Sequence, residues 1–536
     1  MNLITDRWLP VIRASGKLDK AAPSQIAEKD DPIIELNAPR PDFQGALYQF
    51  LIGLLQTCYA PVDHDEWLEY WENQPDEKEL EEIFIAVAPA FELFNKSGPA
   101  FMQDIALKNG EIKKISSLLI EAPGEKTIKD NLDHFVKRNT VNRLCQSCTA
   151  MALFTLQINA PSGGVGHRVG LRGGGPLTTL VMPDERKALW HKVWLNVLYD
   201  EESFKSITRP SPDIFPWMEN VRISGKGGVD TRPEDTHPLQ VYWSMPRRIK
   251  LVPSNDAYGT CDLCGMQIDV ATKEYATLNY GVNYVGEWVH PLTPYRFDPQ
   301  KEKPPLSLKG QKGGLGYRHW ISLTLAHSDN GDCAAKVATT YMSERARDIG
   351  SQKIARLWCS GYDMDNMKAR CWYDHKLPLF YLEMEQKENV LSWSNDLINS
   401  AWDVVRNLSQ QVKAAWFRRP GDIKGDMSAV TLEFWQRSES DFYNLLTRLA
   451  ELPGDLRMPP PEIYAIWVKK IQALAYKLFD EWVLEGPAED MDMQRITAAR
   501  RELKKKLNNS KQMKDLIIKA NLGKGVKNGS AALPIP

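Results

Sequence analysis

The sequence lacks most of the features that mark a membrane protein or a common type of enzyme. Its apolar runs fall far short of the roughly 20 residues that span a bilayer. Neither sign of charge dominates: 67 Lys and Arg face 69 Asp and Glu, a net charge of −2, so any nucleic-acid binding must use local patches. There is no Ser-His-Asp signature, no Walker sequence and no His-Glu-x-x-His, and no carboxylate pair stands in a context that would tune its pKa. Asp363 and Asp365 have the look of metal ligands, but no further carboxylates follow at an ordered spacing. Of the nine histidines, His167 alone lies near a motif, and a general-base role for it competes with that of an ordinary loop residue. The N-terminus has no signal-peptide pattern, which with eight cysteines implies a reducing cytoplasm where thiols bind metal or stay free.

What is present is concentrated in one stretch, Leu144–Pro176 (LCQSCTAMALFTLQINAPSGGVGHRVGLRGGGP). It opens with the pair Cys145 and Cys148, continues as an apolar helical segment, Thr149–Ile158, and ends in a loop with seven glycines that also carries His167, Arg168 and Arg172. A second pair, Cys261 and Cys264, lies in GTCDLCG. Two Cys-x-x-Cys pairs suit one tetrahedral zinc, although the chain between them is far longer than in a compact zinc ribbon. On that reading a rigid knuckle anchors the glycine loop at its base. A chain without side chains can approach another backbone closely, and the arginines beside it supply charge for phosphate. The competing reading is two metal-free turns and a flexible surface loop. The loop lacks the Lys-Ser/Thr ending of a P-loop, and no βαβ unit surrounds it.

Length and composition allow two or three ordinary globular domains. Met1–Val11 reads as an opening strand, and a helix is expected from Asp42 with Leu47, Phe50, Leu51, Leu54 and Leu55 at helical spacing. Between Thr127 and Arg143 the chain is polar and basic, with Phe135 and Val136 followed by Lys137 and Arg138. An aromatic ring beside cations is how single strands are often held, and an ordinary surface loop is the alternative. Arg247 and Arg248 are adjacent, so in an extended chain they face opposite ways. Gly361–Met367 reads as a turn. From about Ser394 four helical segments are separated by RRPGD, LPGDLRMPPPE and EGPAED, which implies an antiparallel four-helix bundle. The last segment is basic and includes Lys504–Lys506. The expected fold class is therefore α+β: a mixed α/β domain over residues 1–390, then the bundle over 391–536.

Several blocks together resemble the large subunit of the type I-E CRISPR surveillance complex, Cascade. They are MNLITDRWLPV, the GPAFMQ turn, CQSCTAMALF followed by NAP, GLRGGGPLTTLV, the second cysteine pair followed by Trp288-x-His290-Pro291, and the C-terminal helices. The resemblance covers nearly the whole chain. It implies a non-catalytic subunit that reads the short protospacer-adjacent motif (PAM) of double-stranded DNA from the minor groove, helps open the duplex and recruits a helicase–nuclease, while guide pairing reads the sequence. It also implies the site residues. The family's glycine loop falls on Ser162, Gly163, Gly164, Val165 and Gly166. The strand-parting wedge falls on Asp365 and Asn366, where Asp365 brings a negative charge towards phosphates. The family's minor-groove lysine falls on Asn279, with Lys273 as an alternative cation. Phe135, Val136 and Lys137 fall on the loop that touches the 5′ handle of the crRNA, and Cys145, Cys148, Cys261 and Cys264 fall on the zinc ligands. The implied partners are the other Cascade subunits, crRNA, the target duplex and the helicase–nuclease, with no membrane. A purely architectural subunit and a metal-dependent nuclease using the glycine loop and His167 are the rival readings.

Overall fold

The computed structural model describes residues 1–122, 129, 139–199, 207, 209–254, 258–310, 313–325, 331–349, 355–365, 367–422, 424–485 and 491–521. The chain divides into two units, Met1–Gly314 with Ser322–Leu379, and Leu315–Ile321 with Phe380–Pro536.

The first unit is built around the helix Pro41–Cys58, buried along nearly its whole length. Its sequence is mainly apolar, and polar residues within it, among them Gln49 and Gln56, are buried and hydrogen-bonded, the pattern of a helix enclosed by other elements. The helix starts one residue before the expected Asp42, because Pro41 has the φ of a first helical turn and has no N–H to leave unpaired. Asp42 is buried and bonded to Arg40 at 2.9 Å. Midway along the helix, Phe50 meets Trp8, Phe91, Phe101, Phe154 and Trp243 edge to face, with ring centroids 5.4 to 6.1 Å apart. Edge-to-face pairs add about 0.5–1.5 kcal/mol each beyond their buried area, so this cluster is the unit's main anchor.

The sheets around this helix are small and antiparallel. Leu9–Arg13 pairs with Leu18–Ala21 and Ile33–Leu36, so the opening strand begins later than Met1. Ala271–Leu278 lies between Glu111–Lys114 and Arg248–Ser254. Arg356–Asp365 lies between Thr178–Met182 and Lys368–Pro378. The expected turn over Gly361–Met367 is therefore mostly strand: Gly361–Asp365 belong to it, and Asp365 pairs with Lys368. The pairing runs through the whole ten-residue strand, which its glycine and acidic residues disguised as a loop.

In the second unit the helix Met384–Trp416 packs against Ser428–Ala450, Pro461–Leu484, Met493–Asn509 and Lys511–Lys519. It starts before Ser394, where the first helical segment was expected, and is unbroken, so the division expected at 390/391 falls inside it. Leu315–Ile321 joins this unit through Tyr317. Its ring is fully buried and stacked on Phe442 at 4.4 Å, and its hydroxyl meets Ser438 Oγ at 2.9 Å.

Candidate metal centre and nucleic-acid interface

The four cysteines meet although residues 149 to 260 separate the two pairs. Their sulfurs all lie within 4.8 Å of one another, and Cys145 and Cys264 are 3.8 Å apart. A tetrahedral zinc with Zn–S bonds of about 2.3 Å sets its sulfurs about 3.8 Å apart, so the donor set and its spacing fit that ion. Backbone N–H groups of Cys145 and Cys148 donate to the sulfurs of Cys261 and Cys145, each at 3.3 Å, which stabilises thiolates. Hydrogen bonds, first from Cys145 and then from Cys148, pull the Cys264 thiol down to about 6. Asp262, which the sequence did not single out, ties the two pairs together: its carboxylate accepts from the N–H groups of Asn142 (2.7 Å) and Arg143 (3.0 Å). Among the described residues, these cysteines are the one place where three or more His, Cys, Asp or Glu side chains converge with metal-ligand spacing.

Two straight elements run from this cluster to the glycine loop. The helix Gln146–Asn159 begins at Cys145, whose sulfur caps it, and ends just before Ala160. At 1.5 Å per residue its 14 residues span about 21 Å. The strand Ala271–Leu278 begins beside Leu144, to which Thr272 is bonded in both directions (2.9 and 3.0 Å), and ends at Asn279. The knuckle is therefore not at the base of the loop, as expected, but at the far end of a helix and a strand that together fix the loop's position.

The exposed turn Ser162–Gly166 is closed by weak backbone bonds between Gly163 and His167 (3.4 Å) and between His167 and Gly164 (3.3 Å). Gly164 and Gly166 have φ of +92° and +76°, which strongly favours glycine at both positions. Val165, between them, is 78% exposed. Asn279 lies against this turn: a Cβ on Gly166 would stand 2.8 Å from the Asn279 Cβ, and the Tyr280 N–H donates to the Gly166 carbonyl at 2.7 Å. Lys273, the alternative cation, is at the cysteine end of the strand, about 20 Å of extended chain from Asn279. Beneath the turn is Arg247. Its guanidinium donates to the Pro161 carbonyl, and Gln157 holds its backbone on both sides at 3.0 Å. Burial lowers its pKa to about 10, and its Nε has no partner. Burial and the Arg247 charge in turn lower the pKa of His167. Arg248 faces the other way and pairs with Asp104 at 2.7 Å.

Arg172 does not supply charge for phosphate. It is buried, donating to Thr178 Oγ1 (2.9 Å), Thr293 Oγ1 (3.1 Å) and Gln49 Oε1 (2.8 Å), and burial lowers its pKa to about 10. Five N–H donors make arginine a good internal clasp for neutral oxygens, and that use cannot be told from phosphate binding by sequence. The downstream half of the glycine loop packs on the hairpin, with Gly175 against Met364 and Tyr362. Asp365 ends the first strand of that hairpin and is exposed. Arg370, which the sequence reading passed over, bridges Asp363 at 2.6 Å and Asp365 at 3.7 Å, so the expected negative charge at the tip is partly offset. Asn366, and the expected crRNA contacts Phe135, Val136 and Lys137, lie outside the described residues.

A family model described as CRISPR-associated protein Cse1 matches residues 2–478. The chain belongs to the Cse1 family. Solved Cse1 structures share its fold. Thermus thermophilus CasA is 16% identical with a TM-score of 0.68, over 95% of this chain and 99% of that one. Thermobifida fusca Cse1 is 16% identical with a TM-score of 0.68, over 97% and 98%. A chain of a structure titled CRISPR RNA-guided surveillance complex is 14% identical with a TM-score of 0.66, over 95% and 99%. Among the described residues, no helix is long and apolar enough to cross a membrane.

Proposed function

We propose that this Cse1-family chain is the large subunit of a type I-E CRISPR surveillance complex. It reads the PAM of double-stranded DNA from the minor groove, helps open the duplex for crRNA pairing and recruits the helicase–nuclease, without catalysing a reaction itself. The observation that supports this reading best is the meeting of Asn279 with the side-chain-poor turn Ser162–Gly166 at the ends of two stiff elements. A narrow finger can enter a groove about 6 Å wide, and a neighbouring amide can donate to the acceptors there. Asp365, at the end of its strand, and Asn366, which follows it in sequence, are the proposed wedge. Phe135, Val136 and Lys137 are the proposed contact to the crRNA 5′ handle. Cys145, Cys148, Cys261 and Cys264 would hold one structural zinc, whose contribution is to lock the two cysteine pairs together. The C-terminal helices would form an antiparallel four-helix bundle that meets other subunits, and the assembly would be cytoplasmic.

The test is target-duplex affinity of the assembled complex. Gly164→Asp combined with Asn366→Ala should weaken binding tenfold or more, about 1.4 kcal/mol. Unchanged affinity rejects the assignment. A second, architectural reading draws on the exposed Lys504–Lys506 run of the helix Met493–Asn509. On that reading, reversing those charges disrupts assembly while glycine-loop variants bind DNA normally.

A further inference from the structure

A second glycine turn stands beside the first. Ile223–Val229 closes on itself, with the Gly228 N–H donating to the Gly225 carbonyl at 2.7 Å and the Val229 N–H to the Ile223 carbonyl at 3.0 Å. Gly227 has φ of +78°, and a side chain on Gly228 would collide with the Ile223 carbonyl, so the turn is built for glycine. Within it sits Lys226, exposed and, among the described residues, without an ion-pair partner.

Both turns hang on one residue, Tyr280. Its N–H donates to Gly166, and its carbonyl accepts from the Ser224 N–H at 3.2 Å. A Cβ on Gly225 or on Gly166 would come within 3.2 Å of its ring. Its φ is +63°, a costly conformation for a bulky residue and one that persists only where the surroundings impose it. Arg168 adds a second link, donating to Ser224 Oγ at 2.8 Å and to its carbonyl at 3.2 Å.

Both signs of charge stand around these turns: the Asp230 carboxylate follows the second one and accepts from Asn283 Nδ2 at 2.8 Å, but several of the cations lack a carboxylate. Arg222 is paired with Asp235 at 3.2 Å, but Lys226, Arg168 and Arg247 have no carboxylate partner among the described residues. Cations without a carboxylate partner favour an anionic ligand, and a polyanion would supply the counter-charge. We infer that the Ile223–Val229 turn is a second DNA contact, in which Lys226 meets a backbone phosphate of the duplex whose groove the Ser162–Gly166 turn enters. This rests on the proposed PAM-reading role. Phosphate contacts fix position and carry no sequence information, so Lys226 should set affinity and register but not PAM preference.

The experiment measures duplex affinity of the assembled complex across a salt series, for the wild type, Lys226→Ala, Lys226→Glu and Gly164→Asp. Lys226→Ala should bind several-fold more weakly for every PAM tested and should flatten the log-affinity against log-salt slope by about 0.9, one phosphate's worth. Lys226→Glu should be weaker still. An unchanged slope for Lys226→Ala in a series where Gly164→Asp is impaired overturns this inference alone. An unimpaired Gly164→Asp overturns the PAM-reading role instead, while a flattened slope for Lys226→Ala would still support the phosphate contact. If Lys226→Ala no longer assembles with the crRNA-bearing subunits, the lysine serves assembly and the inference fails.

Discussion

Gly163 lies over the guanidinium of Arg247: a Cβ built on it would stand 2.7 Å from one terminal nitrogen and 3.0 Å from the other. Glycine is needed at this position for space, whereas its neighbour Gly164 has open space but φ of +92°. Gly163→Ala should therefore push Arg247 off the Pro161 carbonyl and lower stability by about 1–3 kcal/mol, the usual cost of overpacking. Gly164→Ala should cost about 1 kcal/mol of backbone strain and leave Arg247 in place. Denaturant melts of both variants check this. Equal small effects would mean that the arginine moves freely.

Cys261→Ser removes one sulfur from the four and the acceptor of the Cys145 N–H. Metal analysis of the purified wild type should find about one zinc per chain, and the variant should lose it and melt lower. Because the helix Gln146–Asn159 and the strand Ala271–Leu278 both start at the cluster, chelation should also speed amide hydrogen exchange at Gly166 and Tyr280. Exchange confined to the cysteine pairs would show that the two elements hold the loop without the metal.

Arg370 bridges Asp363 and the proposed wedge residue Asp365, offsetting one of their two negative charges. Arg370→Ala should leave Asp363 and Asp365 uncompensated near DNA phosphates and weaken duplex binding by the assembled complex. Asp365→Asn in the same chain should restore part of the loss, and the non-additivity of the pair measures the coupling. No recovery would place the Arg370 effect elsewhere.

His191 packs edge-on against Trp71 with ring centroids 4.8 Å apart, and its Nδ1 has no partner. Burial, with a smaller push from Lys187, lowers its pKa to about 4. In the unfolded chain a histidine titrates near 6.5, so on acidification the unfolded state takes up the proton first. This histidine's share of stability is present above about pH 6.5 and is lost as pH falls towards 4. His191→Gln should flatten stability against pH in that window, read from denaturant midpoints at fixed ionic strength. An unaltered slope would assign the acid sensitivity to other groups.

The sequence alone announced those features whose physics is local. Two Cys-x-x-Cys pairs declare a sulfur site because two knuckles can close a tetrahedron wherever the chain brings them together. Glycines in Ser162–Gly166 declare a turn because few other residues tolerate positive φ, and helical spacing with proline breaks announces the C-terminal helices. The order of these blocks carried the family resemblance. What depends on residues distant in sequence was hidden. Arg172 and Arg247 look alike in the chain; one clasps buried oxygens beside Gln49, and the other supports the glycine turn. Arg370 screens Asp363 only because the antiparallel pairing of two strands brings it alongside. Tyr280 joins two glycine turns far apart in the chain because its N–H and its carbonyl each bond to one of them. Short-range propensity acts over a few residues and can be read in one dimension. The burial of a charge and the partner of a hydrogen bond are set by whatever long-range packing brings near, and that exists only once the chain has folded.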